Sequence, residues 1–242
     1  MTLPVVFAPG SLCDARVFDD QVRGLGAPCS VADLTLDDNI EAMARRLLQD
    51  APQRFALVGL SLGGIVAAEV FATAPERVGG VALLDTNLDA PSPAQVDTRR
   101  RWAADVRSGH LHDVIATLIP QMTIDPARHG RLIADMALGA GSAAFLRQNS
   151  ALLHRHDLRD ALACADVPVL VACGAEDSVC PPSIHTDLAS RSPHARLAVV
   201  AQAGHLSTID QPAALTSALA DWLMLCNTNP TRRGTSHEYT TA

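Results

Sequence analysis

Gly59-Leu60-Ser61-Leu62-Gly63 is the strongest chemical signal in the sequence. It matches G-x-S-x-G and stands between an apolar strand-like run, residues 55–60 (FALVGL), and an apolar helix-like run, residues 65–74. That setting is the one in which the pentapeptide presents a serine nucleophile. A serine at a sharp strand-to-helix turn adopts a strained backbone, and small neighbours avoid a clash across the turn. The following helix offers unpaired N–H groups and the positive end of its dipole, so the Leu62 N–H is placed to hold a developing oxyanion.

A serine hydroxyl is a weak nucleophile that needs a base, and the base needs an orienting acid. Of nine histidines, His205 stands out in Ala203-Gly204-His205-Leu206-Ser207, after a strand-like run at 195–200 and before the last helical segment. Loops beyond the carboxyl ends of parallel strands are where such sheets place their sites. His110, His112, His129, His154 and His156 fall in a separate helical stretch, and His185 and His194 flank a helix that reads as surface. They are expected to be solvated or structural. The acid is expected at Asp177, in Gly174-Ala175-Glu176-Asp177, just past the run at 167–173. Two rivals stand beside it. Glu176 is its neighbour, and Asp85 ends the run at 78–84; the other reading of Asp85 is a carboxylate bonding loop amides near a hinge. A second oxyanion donor should come from Pro9-Gly10-Ser11-Leu12-Cys13-Asp14, with the N–H of Ser11 as first choice and that of Leu12 as second.

These residues need a scaffold. Residues 3–8 (LPVVFA), 29–34, 55–60, 78–84, 167–173 and 195–200 read as strands, most of them apolar throughout. Between them lie helical patterns: one capped by Asp37 or Asp38 with Ile40, Met43, Leu47 and Leu48 on a face, and one ended by Pro75. Another is opened by Pro181-Pro182, and a last one starts near Pro212 with Asp210 as its cap. Continuous apolar strands alternating with helices mark a parallel sheet covered on both faces, a doubly wound α/β domain. Residues 87–163 break the rhythm with about 75 residues of helix and no strand, too much for one crossover. The expected organisation is a core of residues 1–86 and 164–226, a helical cap at 87–163 above the sheet, and a disordered polar tail at 227–242.

Bulk properties narrow the partners. A 48% hydrophobic, 19% charged chain of 242 residues is an ordinary globular domain, and its net charge of −7 argues against nucleic acid. No apolar stretch reaches the roughly 18–20 residues of a membrane helix, and the N-terminus lacks a basic, apolar leader. A cytoplasmic protein acting on a small molecule, with no membrane partner, is expected; oligomeric state stays open. The six cysteines form no metal-binding spacing and read as reduced structural thiols, a Cys173–Cys180 disulfide remaining open. Neither a cofactor nor a metal is called for.

The blocks 10–18 (GSLCDARVF), 59–64 (GLSLGG), 174–182 (GAEDSVCPP) and 203–212 (AGHLSTIDQP) together resemble the compact bacterial α/β-hydrolase superfamily, over roughly residues 3–225. Carboxylesterases, enol-lactonases, meta-cleavage product hydrolases and pimeloyl-carrier-protein methyl ester esterases belong there. The resemblance implies the triad Ser61, Asp177 and His205, a helical lid and, since the chain begins at what is usually the third strand, about six parallel strands. Many relatives carry His-Gly where this chain has Pro9-Gly10, which spares the backbone donor and removes a polar contact. The expected activity is hydrolysis of a small carboxylic ester through an acyl-enzyme on Ser61. A C–C hydrolase or lactonase would use the same triad and need a cationic grip on a substrate carboxylate, for which Arg99, Arg100, Arg101 and Arg147 are candidates; otherwise they form a solvated basic face. A lyase or a ligand-binding pseudoenzyme are the readings from other classes.

Overall fold

Apolar continuity in the strands has a direct consequence in space. A computed structural model, which describes residues 2–228, contains a six-stranded, all-parallel sheet in the order β2-β1-β3-β4-β5-β6. The strands are β1 (Val5–Ala8), β2 (Cys29–Val31), β3 (Phe55–Leu60), β4 (Val78–Leu84), β5 (Val169–Gly174) and β6 (Ala195–Val200). The four inner strands are buried at every residue, as a sheet covered on both faces requires. The two edge strands, β2 and β6, are mixed, with Leu197 and Val199 exposed.

Alternation along each strand separates two cores. Val6, Leu57, Val81 and Val171 face one side with helices α2 (Ile40–Asp50) and α3 (Leu62–Thr73), and with Leu188 of α7 (Pro182–Ser190). Phe7, Val58, Leu84 and Ala172 face the other, against Leu215, Leu219 and Trp222 of α9 (Pro212–Thr228), which packs beside α1 (Asp19–Gly24). Helix α3 is buried nearly all round because it runs inside the molecule rather than over it.

Between β4 and β5 lie three helices, α4 (Pro93–Arg107), α5 (Leu111–Met122) and α6 (Pro126–His154). They bury a small core of their own, including Val106, Ile115 and Phe145, into which Leu12 of the β1 loop also reaches. Helix α6 is two helical pieces joined at Gly141, whose φ of 78° interrupts the spiral.

Several expectations need correction. Asn39, not Asp37 or Asp38, caps α2, accepting from the Ala42 N–H at 2.8 Å, while Asp37 pairs with Arg46 at 2.6 Å. Asp210 belongs to the short helix α8 (Ser207–Asp210), so Gln211 directly precedes α9. His185 lies within α7 and is fully buried. Asn227 and Thr228 continue α9; the rest of the expected tail, 229–242, lies outside the described residues. All six cysteines are free, and burial pushes the thiols of Cys13, Cys173 and Cys226 up to about 12. Among the described residues, no helix is long and apolar enough to cross a membrane.

Candidate active site

Ser61 sits between β3 and α3 with φ 51° and ψ −111°, a conformation that a non-glycine residue adopts only under constraint. The constraint comes from β4: the Ser61 N–H donates to the Leu84 carbonyl at 2.9 Å, and the Thr86 hydroxyl donates to the Ser61 carbonyl at 2.7 Å. The flanking glycines follow from contact. A Cβ on Gly63 would run into the Ala8 carbonyl, and one on Gly59 into the Gly63 carbonyl. Such close packing carries the start of α3 past the end of β1.

Asp177 and His205 stand in the loops after β5 and β6, at the same end of the sheet. His205 Nε2 lies 3.0 Å from Ser61 Oγ, and its Nδ1 lies 2.9 Å from Asp177 Oδ2. The other Asp177 oxygen accepts the N–H groups of Val179 and Cys180 at 2.8 and 2.9 Å, which fixes the carboxylate plane. Both His205 and Asp177 are almost fully buried.

The rivals are occupied elsewhere. Glu176 turns back to accept the Ala203 N–H at 3.0 Å. Asp85, fully buried, accepts the Gly174 N–H at 2.9 Å and the Ser207 hydroxyl at 2.6 Å. It thereby joins the loop of Asp177 to the loop of His205, and desolvation pushes its carboxyl up to about 7. This is the loop-bonding carboxylate of the alternative reading.

Opposite Ser61 is the turn after β1. Its Leu12 N–H donates to Gln148 Oε1 at 2.9 Å, which commits that group to a partner within the protein. Gln148 also accepts the Ser11 hydroxyl at 3.1 Å and donates to the Leu34 carbonyl at 3.1 Å. The Ser11 and Leu62 N–H groups stay uncommitted, the latter because it opens a helix.

Sequence reasoning missed Gln148, Asn149, Thr86, His185 and the role of Asp210. The first two carried a legible signal: Phe145, Gln148, Asn149 and Leu152 share one helix face, and amides at its two middle positions are misplaced in an apolar stripe. His185 is buried, accepts the Thr86 N–H at 2.9 Å through Nε2, and has its pKa lowered by desolvation. Asp210 accepts from the Thr123 hydroxyl, the Ile124 N–H and the Gly204 N–H, and Leu206 N–H donates to the Met122 carbonyl at 2.7 Å. The end of α5 is thus sewn to the loop of His205.

Ser61 and His205 open onto a cavity of about 130 Å³, walled by Trp102, Leu118 and Phe145 from the helical insertion and reaching Arg99 and Asn149. Arg100 and Arg101 are exposed, and Arg147 donates to the Thr35 carbonyl at 2.6 Å, so only Arg99 of the four candidate arginines faces the site. Asp177, Cys180 and His205 place one ligand atom each within 4.8 Å of one another. They suit an ion poorly: burial raises the Cys180 thiol well above its usual range, and Asp177 and His205 are bonded to each other.

A sequence model of the alpha/beta hydrolase family matches residues 5–218, the stretch that carries Ser61, Asp177 and His205. The chain belongs to the alpha/beta hydrolase family. It is similar to the pimeloyl-[acyl-carrier protein] methyl ester esterase of Yersinia enterocolitica, with 28% identity over 210 residues, 78% of this chain and 77% of that protein. A thermophilic esterase from Thermogutta terrifontis, solved with malate bound, superposes with a TM-score of 0.84 at 26% identity, covering 93% of this chain and 91% of that one. The enol-lactonase of Burkholderia xenovorans LB400 shares the fold at a TM-score of 0.82 and 22% identity, covering 93% and 92%. Within this alpha/beta hydrolase the sheet stands as expected, with six parallel strands.

Proposed function

We propose that the protein hydrolyses a small carboxylic ester through an acyl-enzyme on Ser61. The observation that carries this is the continuous chain from Ser61 Oγ to His205 Nε2 and from His205 Nδ1 to Asp177, at 3.0 and 2.9 Å, opening on a small cavity. His205 takes the Ser61 proton as Oγ attacks the ester carbonyl, and Asp177 holds the imidazolium that forms. The N–H groups of Ser11 and Leu62 receive the oxyanion, a contribution of about 3–4 kcal/mol per donor. His205 returns the proton to the leaving alcohol. A water, deprotonated by His205, then attacks the acyl carbon, the second tetrahedral intermediate collapses, and the acid departs with Ser61 restored.

In this reading residues 87–163 form a lid, and the bonds from Asp210 and Leu206 to the end of α5 hold it in register with the base. The relatives named as esterases support ester hydrolysis as the bond class.

The test is turnover of p-nitrophenyl acetate and butyrate, with fluorophosphonate labelling of Ser61. Ser61→Ala is expected to lose labelling and to lower kcat by about 10⁴-fold or more. Equal rates in the two proteins would refute the proposal.

A further inference from the structure

The cavity holds a cation without a counter-ion. Arg99, on α4, lines the same space as Ser61 and His205. A guanidinium carries five N–H donors, yet the protein contact of Arg99 is a long one, 3.4 Å from Nη1 to Asn149 Oδ1. Surface arginines of this chain, such as Arg16, Arg46 and Arg159, do pair with carboxylates. No ion pair among the described residues involves Arg99, and no acidic side chain lines the cavity. The nearby charge makes matters worse: Arg155, buried and bonded to the Asp89 and Leu152 carbonyls at 2.8 and 2.9 Å, is a second cation. Desolvation, added to by Arg155, brings the Arg99 pKa down to about 10, so the group is still charged at neutral pH. A half-buried cation, partly withdrawn from water, is costly unless something anionic meets it.

Asn149 explains how the side chain is held without being neutralised. It is buried, its Nδ2 donates to the Arg99 carbonyl at 3.0 Å, and its Oδ1 faces Nη1. An amide braces the arginine, and the fork stays available for a planar anion. The cavity that Arg99 and Ser61 share has mostly apolar walls, Trp102, Phe145 and Leu152 among them.

We propose that the substrate carries a free carboxylate, separated by a short aliphatic spacer from the scissile ester, and that Arg99 grips that carboxylate. The class is half-esters of short dicarboxylic acids, or lactones bearing the same free carboxylate; the proposal rests on the hydrolase reading of Ser61.

The experiment compares kcat/KM for monoethyl glutarate with that for the neutral ethyl pentanoate, in wild type, Arg99→Gln and Arg100→Gln. Wild type is expected to favour the half-ester by about tenfold or more, and Arg99→Gln to cut that ratio by about 10- to 100-fold, the range for a hydrogen bond to a charged group. Arg100→Gln, on the exposed side of the same helix, should keep the wild-type ratio. No preference in wild type, or an unaltered ratio in Arg99→Gln, overturns the proposal. Calorimetric binding of glutarate to Ser61→Ala, with and without Arg99→Gln, reads the grip without turnover. Binding lost with Arg99→Gln supports the grip even if Ser61 is not the nucleophile; equal binding overturns it even if Ser61 is.

Discussion

Replacing Asp85 by Asn separates two roles that one buried carboxylate could play. Asp85 directly follows β4 with φ 46°, has no exposed surface, and holds the Gly174 N–H and the Ser207 hydroxyl at 2.9 and 2.6 Å. Burial is the largest influence on its carboxyl and pushes it from 3.8 to about 7, with the His205 ring pulling the other way. A folded-state value above the unfolded one means that the native protein keeps the proton between these limits while the unfolded chain releases it. The stability this contributes is fully present below about pH 4 and fades as pH rises through about 7. Three units at about 1.36 kcal/mol each make a swing on the order of 4 kcal/mol, of which about 2–3 kcal/mol falls between pH 5 and 8. Asn has no such swing but keeps both bonds, its Oδ1 facing the Gly174 N–H and its Nδ2 facing the Ser207 oxygen. Urea unfolding of wild type and Asp85→Asn at the two pH values checks this. The variant should gain on wild type by about 2–3 kcal/mol from pH 5 to pH 8. His185, whose buried ring shifts in the opposite sense, is present in both proteins and cancels. A gap between the two proteins that does not change with pH would refute the reasoning. Activity gives a second reading: a loss on the order of 10⁴-fold would make Asp85 the triad acid, whereas the structure leaves the His205–Asp177 bond untouched by the change.

Asp177→Asn should lower kcat by about 10⁴-fold in an ester assay while leaving the melting temperature within a few degrees, because the wrong imidazole tautomer then faces Ser61. Gln148→Ala removes a side chain whose Oε1 and Nε2 satisfy Leu12 N–H and the Leu34 carbonyl, both inside the protein. Urea denaturation should show about 1–3 kcal/mol of lost stability, and kcat should fall as the turn carrying Ser11 loosens.

The order of strands and helices, the parallel sheet and the strand-to-helix turn at Ser61 were legible in the sequence because each depends on local pattern. Buried strands are apolar at every residue, and the elbow requires Gly59 and Gly63 within four positions. His205 and Asp177 could be placed at strand ends, but the choice between Asp177, Glu176 and Asp85 could not be made there. All three are acids at the carboxyl end of a strand, and only side-chain direction in the folded loops separates them. The same holds for Ser11 and Leu12, adjacent N–H groups of which Gln148, 136 residues from Leu12 along the chain, claims one. Arg99, Arg100 and Arg101 are alike as letters; the packing of α4 against α6 turns the first, half-buried, to the cavity and leaves the other two in water. Periodicity along the chain specifies which residues are buried. Which buried polar group meets which is decided by approaches between distant segments, and those exist only in the folded chain.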